Sequence, residues 1–149
     1  MKNITKVILI VAAAAVALSA CSKERPVNTE ETKAYRKAVL AVERVKKVKV
    51  YHARAKLHID LIVASDIGQD EIGQALELTK EFVTVSNMES ISKHLGLSGE
   101  ISQVYLEFWN KKGELLKRYT TRYFKTYRKE YTPDNLEEYK IWRDETPAH

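Results

Sequence analysis

His52, His58 and Asp60 are the residues whose types and spacing come nearest to acid–base or metal chemistry, since an imidazole and a nearby carboxylate can hold a proton or a divalent ion between them. They fall on even positions of a segment whose odd positions, Ala53, Ala55, Leu57, Ile59, Leu61 and Val63, are all apolar. Strict alternation of this length predicts one half-buried strand, beginning near Val48, with both histidines and the aspartate on its polar face. At about 3.3 Å per residue, positions 52 and 58 stand roughly 20 Å apart. Only His58 and Asp60 can then cooperate, and a metal there would need ligands from elsewhere. The chain has no phosphate-cradling glycine loop, no His-Glu-x-x-His and no serine in a glycine-flanked elbow. A solvated polar strand face is the expectation, with no metal, no cofactor and no enzymatic activity.

Charge and aromatic clustering point to binding instead. Residues 33–56 hold nine Lys/Arg against Glu43 alone, and residues 111–130 hold eight against Glu114 and Glu130. Turned toward an anionic lipid or cell-wall surface, Lys46, Lys47, Lys49, Lys117, Arg118 and Arg122 are the candidate contacts. Tyr119, Tyr123, Tyr127 and Tyr131 recur every four residues, a spacing that keeps one face in a strand or a helix. A tyrosine has an apolar body and a polar tip, which suits a protein interface. Tyr119 and Tyr123 are assigned to covering the protein's own sheet, Tyr127 and Tyr131 to a candidate interface.

The start of the chain carries an address. Lys2 and Lys6 precede twelve uninterrupted apolar residues, Val7 to Leu18. As a helix these span roughly 18 Å, short of the ~30 Å hydrocarbon core, so they predict a secretory signal peptide rather than a membrane span. Leu18-Ser19-Ala20-Cys21 then resembles the lipobox of bacterial lipoproteins: a branched apolar residue, two small ones and a cysteine, here the only one of the chain. The resemblance implies that the Cys21 thiol receives a diacylglyceryl group, that residues 1–20 are removed, and that the new amino terminus is acylated in many species. Two or three acyl chains hold a protein stably on a bilayer. Ser22, where many inner-membrane lipoproteins carry Asp, implies outer-membrane sorting, facing the periplasm, in a Gram-negative source. Of the formal +5, two lysines leave with the signal, so the mature chain would carry +3.

The remaining elements must position these groups. With 149 residues, one cysteine, five glycines and three prolines, the chain has room for one ordinary globular core and no disulfide framework. The expected organisation is a signal peptide over 1–20, a short lipidated tether over 21–28 and a single α+β domain over 29–149. Helices are expected at about 30–46, 69–82 and 87–95, the third opened by a Ser86-x-x-Glu89 capping box and stopped by Gly96. Strands are expected over 101–109 and 114–124 around an Asn110–Gly113 turn, and a last helix from Thr132-Pro133-Asp134 to about Arg143. The order α-β-α-α-β-β-α predicts a mainly antiparallel three-stranded sheet. Ile101, Val104, Tyr105 and Phe108 also fit helical spacing. In that light Ser90 to Ser98 resembles the first helix and turn of a DNA-binding helix-turn-helix, but Ser102 stands where that family prefers a branched apolar residue. A secreted lipoprotein meets no chromosome, so no nucleic-acid partner is expected.

The function expected from these readings is a lipid-anchored cell-envelope lipoprotein that binds another envelope protein as an accessory, assembly or exclusion factor. The alternative is an inhibitor or immunity protein against an envelope-targeting toxin or lytic enzyme. An enzyme acting on cell wall or lipid ranks third.

Overall fold

A computed structural model describes residues 23–123 and 138–148. The signal peptide, the lipobox with Cys21, and the candidate interface residues Tyr127 and Tyr131 lie outside the described residues. The described chain is a six-stranded mixed sheet with three helices, not the three-stranded, mainly antiparallel sheet expected from the sequence. The strands are β1 (Arg25–Pro26), β2 (Val45–Ala53), β3 (Lys56–Val63), β4 (Gln103–Trp109), β5 (Leu115–Arg122) and β6 (Arg143–Asp144), ordered in the sheet as in the chain. The helices are α1 (Glu30–Leu40), α2 (Gln69–Phe82) and α3 (Val85–His94). All neighbouring strands are antiparallel except β3 and β4, which run parallel because α2 and α3 carry the chain from the end of one to the start of the other. No helix of the described residues is long and apolar enough to cross a membrane.

Each departure from the expected order has a local cause. Thr29 caps α1 as its sequence suggests, accepting from the Thr32 N–H at 3.2 Å, but the helix ends at Leu40 rather than near 46. Arg44 adopts φ 69°, its carbonyl accepts from the Ala64 N–H at 2.9 Å, and its guanidinium pairs with the Asp66 carboxylate. Val42 and Val45, within the span expected to be helical, are buried from a bend and a strand instead. The third helix is capped by Thr84, whose hydroxyl accepts from the Asn87 N–H, and not by Ser86. Its end follows the glycine: Gly96 has φ 65°, with Gly96 N–H bonded to Lys93 and Leu97 N–H to Ser92, the paired closure of a Schellman motif. Residues 103–109 form a strand, which removes the second helix a helix-turn-helix needs. The predicted final helix falls partly on residues outside the description. Where it is described, Glu138 and Tyr139 have φ 41° and 61°, and Arg143–Asp144 pairs with β5.

The largest correction concerns the alternating segment. It is a hairpin and not one strand: Arg54 and Ala55 form a two-residue turn with φ 51° and 62°, and His52 pairs with Leu57. Both central residues at positive φ is the geometry of a type I′ turn, which normally selects Asn-Gly. A two-residue turn inverts the phase of the alternation between the two strands. His52 therefore lies on the core side with Leu57, while His58 and Asp60 lie on the opposite face. Because an L-residue in the left-handed region costs roughly 1–2 kcal/mol, Ala55→Gly is expected to stabilise the fold by about 1 kcal/mol, raising the melting temperature by about 4 °C. A melting temperature unchanged or lowered would refute that account of the turn.

The core occupies one side of the sheet. Leu57, Ile59, Leu61 and Val63 of β3 and Val104, Leu106 and Phe108 of β4 are fully buried, in one cluster with Tyr35, Val39, Ile72, Phe82, Met88 and Ile91 from the helices. Tyr35 stacks on Phe82 with ring centroids 4.5 Å apart, and its hydroxyl meets Thr79 Oγ1 at 2.8 Å. Burial pushes the Tyr35 phenol well above its ordinary range, so it stays protonated. Val27, fully buried, joins this cluster and its N–H bonds the Val50 carbonyl at 3.0 Å. Among the described residues the sheet thus starts at Arg25, inside the expected 21–28 tether, and a two-residue strand containing a proline has no periodicity to read.

Candidate functional site

The register lines up side chains in rows across the opposite face of the sheet. One row runs Tyr51, His58, Tyr105, Thr120; the next runs Lys49, Asp60, Glu107, Arg118. The His58 ring is sandwiched between Tyr51, at 5.0 Å and 6° between planes, and Tyr105, at 5.2 Å and 17°. Stacked this way, the three half-buried rings stand on the sheet like adjacent plates. Lys56 Nζ donates to the Tyr105 hydroxyl at 3.0 Å and lies 5.0 Å from its ring centre; the Arg118 guanidinium carbon lies 5.7 Å from the same centre.

Beside the rings lies a pair of carboxylates. Asp60 and Glu107 are register partners on the two parallel strands. Glu107, only 5% exposed, accepts from Arg118 Nε at 2.6 Å, with Nη2 also 2.6 Å from the same oxygen. Among the described residues no cation pairs with Asp60 in this way. Burial first, and then the Glu107 charge, push its carboxyl up to about 6, against a weaker pull from the Tyr51 hydroxyl and Lys49. The Tyr51 phenol is raised in turn, by burial and then by the Asp60 charge. His58 is held below its ordinary range, by burial foremost, with Glu107 opposing and Lys56 adding to the shift. Among the described residues, its Nδ1 and Asp60 Oδ1 are buried without a hydrogen-bond partner. Arg54, Lys56, His58, Tyr105, Glu107 and Arg118 line a shallow hollow of about 260 Å³.

This arrangement can recognise a ligand or partner through three ring edges, a fixed ion pair and a protonatable carboxyl. The sequence singled out His58 and Asp60 as sharing a polar strand face, and they do; it also placed His52 with them, and the hairpin turn separates it. His52 is buried against the core side, and its pKa is lowered by that burial and by Arg25. Asp60 is half-buried rather than freely solvated. Glu107 and Arg118 complete the cluster across strands. Glu107 did carry a signal, as the one charged residue within the apolar and aromatic run of β4. No group of three His, Cys, Asp or Glu able to hold a metal ion occurs among the described residues.

The six basic candidates do not form one patch. Lys46 is the extra residue at a bulge between Val45 and Lys47, and both lysines are exposed. Lys47 lies opposite Ile62 and Lys49 opposite Asp60. Lys117 lies on the core side opposite Phe108, bound to the Asp144 carboxylate and 5.5 Å from the Tyr119 ring centre. That contact raises the Lys117 ammonium and, with Thr146, brings Asp144 down to about 2. Arg118 is committed to Glu107, and Arg122 stands opposite Gln103 with Nη2 3.7 Å from Glu145. Tyr119 packs edge-on to Phe108 and Tyr123 lies buried against Tyr139, so both cover the protein's own sheet as expected.

No protein-family model matches the chain, and comparison with curated proteins and with solved structures returns no match.

Proposed function

We propose that the protein is a lipid-anchored cell-envelope lipoprotein that acts by binding another envelope protein, as an accessory or exclusion factor. The observation that carries the proposal is the shortness of the link between the lipobox cysteine and the fold. Only Ser22, Lys23 and Glu24 separate Cys21 from Arg25, the first of the described residues paired into the sheet. Four residue steps of at most ~3.6 Å allow about 14 Å between the sulfur-bearing residue and β1. Acyl chains at Cys21 would therefore hold the domain against its membrane, with no stalk to carry it away.

The hollow by Tyr105 supports binding over chemistry, because its groups are engaged with one another: Glu107 with Arg118, and Lys56 with Tyr105. Half-buried tyrosine edges beside an ion pair are what a protein partner uses for orientation and contact.

The experiment is an in-cell crosslink and pull-down of tagged, lipidated protein, read by mass spectrometry, beside a Tyr51→Ala/Tyr105→Ala variant. One stoichiometric envelope partner, lost with the variant, is the expected result. A captured toxin or lytic enzyme would replace the accessory role with that of an inhibitor. Recovery of only lipid or cell-wall fragments would refute protein binding.

A further inference from the structure

We infer that the β2–β3 turn end of the sheet is a docking edge for anionic phospholipid headgroups, formed by Lys23 and Arg54 around an open cleft. The inference rests on the lipoprotein reading of Cys21 and adds which surface of the domain meets the bilayer.

Register fixes the location. Arg25 pairs with His52, two residues before the Arg54-Ala55 turn, so the chain enters the sheet at that end. There the first described residues, Lys23 to Pro26, the turn and the end of α3 enclose a cleft of about 750 Å³. Three cations line it, Lys23, Arg25 and Arg54, against a single carboxylate, Glu24. Arg25 is partly committed, since its Nη2 donates to the Leu95 carbonyl at 2.6 Å. Arg54 sits at the tip of the turn, exposed, and lines both this cleft and the neighbouring hollow that holds Lys56.

Elsewhere the fold neutralises many of its cations: Lys33 with Glu30, Arg44 with Asp66, Lys80 with Glu77, Lys117 with Asp144 and Arg118 with Glu107. Among the described residues no carboxylate pairs with Lys23 or Arg54. Lys46 and Lys47 have no such partner either, but they stand six and five positions from His52 along β2, roughly 16–20 Å away. That exceeds the physiological Debye length of about 8 Å. Lys23 is two residues from Cys21, within ~7 Å of the acylated position. Distance from the anchor therefore selects Lys23 and Arg54 over the cluster that density along the sequence favours. Each cation close to an anionic surface raises binding by roughly fivefold.

The test uses the mature protein purified from cells with its lipid, placed in vesicles of phosphatidylcholine alone or with phosphatidylglycerol at about one lipid in three. Hydrogen exchange of the 52–57 segment is the readout. Exchange about fivefold slower or more is expected in the anionic vesicles, restored to the neutral rate in ~0.5 M salt, where screening falls to a few ångströms. Lys23→Glu/Arg54→Gln should abolish the difference and Lys46→Glu/Lys47→Glu should keep it. Lys23→Glu alone, outside every strand, should reduce it without any risk to folding. Equal exchange in both vesicles, for protein that stays on them, overturns this inference alone. Protein that leaves both vesicles with an unmodified Cys21 overturns the anchor, and the docking edge with it.

Discussion

Cys21→Ser is expected to leave an unprocessed chain that keeps residues 1–20 and never receives its diacylglyceryl group. A serine hydroxyl cannot form the thioether that must precede cleavage in the lipoproteins the signal resembles. Each buried methylene contributes about 0.8 kcal/mol, and one myristoyl-length chain binds membranes only reversibly, whereas two or three hold firmly. A domain that begins at Ser22 and carries none of them is expected to lose at least ~1,000-fold in membrane partitioning. The variant also separates the anchor from the fold. Cys21 lies outside the described residues, and the β1–β2 pairing at Arg25 and the Val27–Val50 hydrogen bond are made four and more residues further along the chain. Its melting temperature should match that of the unaltered domain, while detergent-phase partition and intact mass change. Normal processing and normal membrane fractionation of the serine variant would sink the lipoprotein reading and every surface assignment that depends on it.

What the sequence discloses about this fold follows the range of the interactions involved. Thr29 as a cap, Gly96 as a stop, the 69–82 helix and the Asn110–Gly113 turn rest on contacts within a few residues, and all appear where local chemistry puts them. The Arg54-Ala55 turn is equally local and yet illegible, because neither residue type favours positive φ. Tertiary pairing of β2 with β3 imposes that conformation, and the uninterrupted alternation of polarity across it imitates a single strand. Short edge strands are illegible for another reason: Arg25–Pro26 and Arg143–Asp144 contribute too few residues for any period. Missing those and the turn reduces six strands to three.

The candidate site divides in the same way. His58 and Asp60 share a face because they are two apart on one strand, which the sequence states outright. Glu107 and Arg118 join them only through strand register, parallel on one side and antiparallel on the other. The basic residues teach the complementary lesson. Density along the chain marks Lys46, Lys47 and Lys49, but strand direction carries Lys46 and Lys47 to the end of β2 remote from Arg25. Charge patterning says how many cations there are; topology decides which of them can meet the membrane together.

Register also predicts that a charge can be removed from the cluster with a gain in stability. In the folded protein Asp60 keeps its proton up to about pH 6, while an unperturbed aspartate releases it near 3.9. Between those values the folded state binds more protons than the unfolded one, so stability falls as pH rises from about 4 to about 6 and stays lower above it. The full shift corresponds to about 3 kcal/mol, and residual solvent at a half-buried carboxylate reduces this to about 1–2 kcal/mol. Asp60→Asn keeps an acceptor for the Tyr51 hydroxyl and supplies a permanent donor toward Glu107, with no charge to bury. The variant is therefore expected to be about 1–2 kcal/mol more stable than the unaltered protein at pH 7.5 and equal to it near pH 4, erasing most of the decline between. Urea unfolding at pH 4, 5, 6 and 7.5 measures this directly. A loss of stability at pH 7.5, or a gain of the same size at every pH, would show that Asp60 is ionised without penalty and that Lys49 and Tyr51 outweigh its burial beside Glu107.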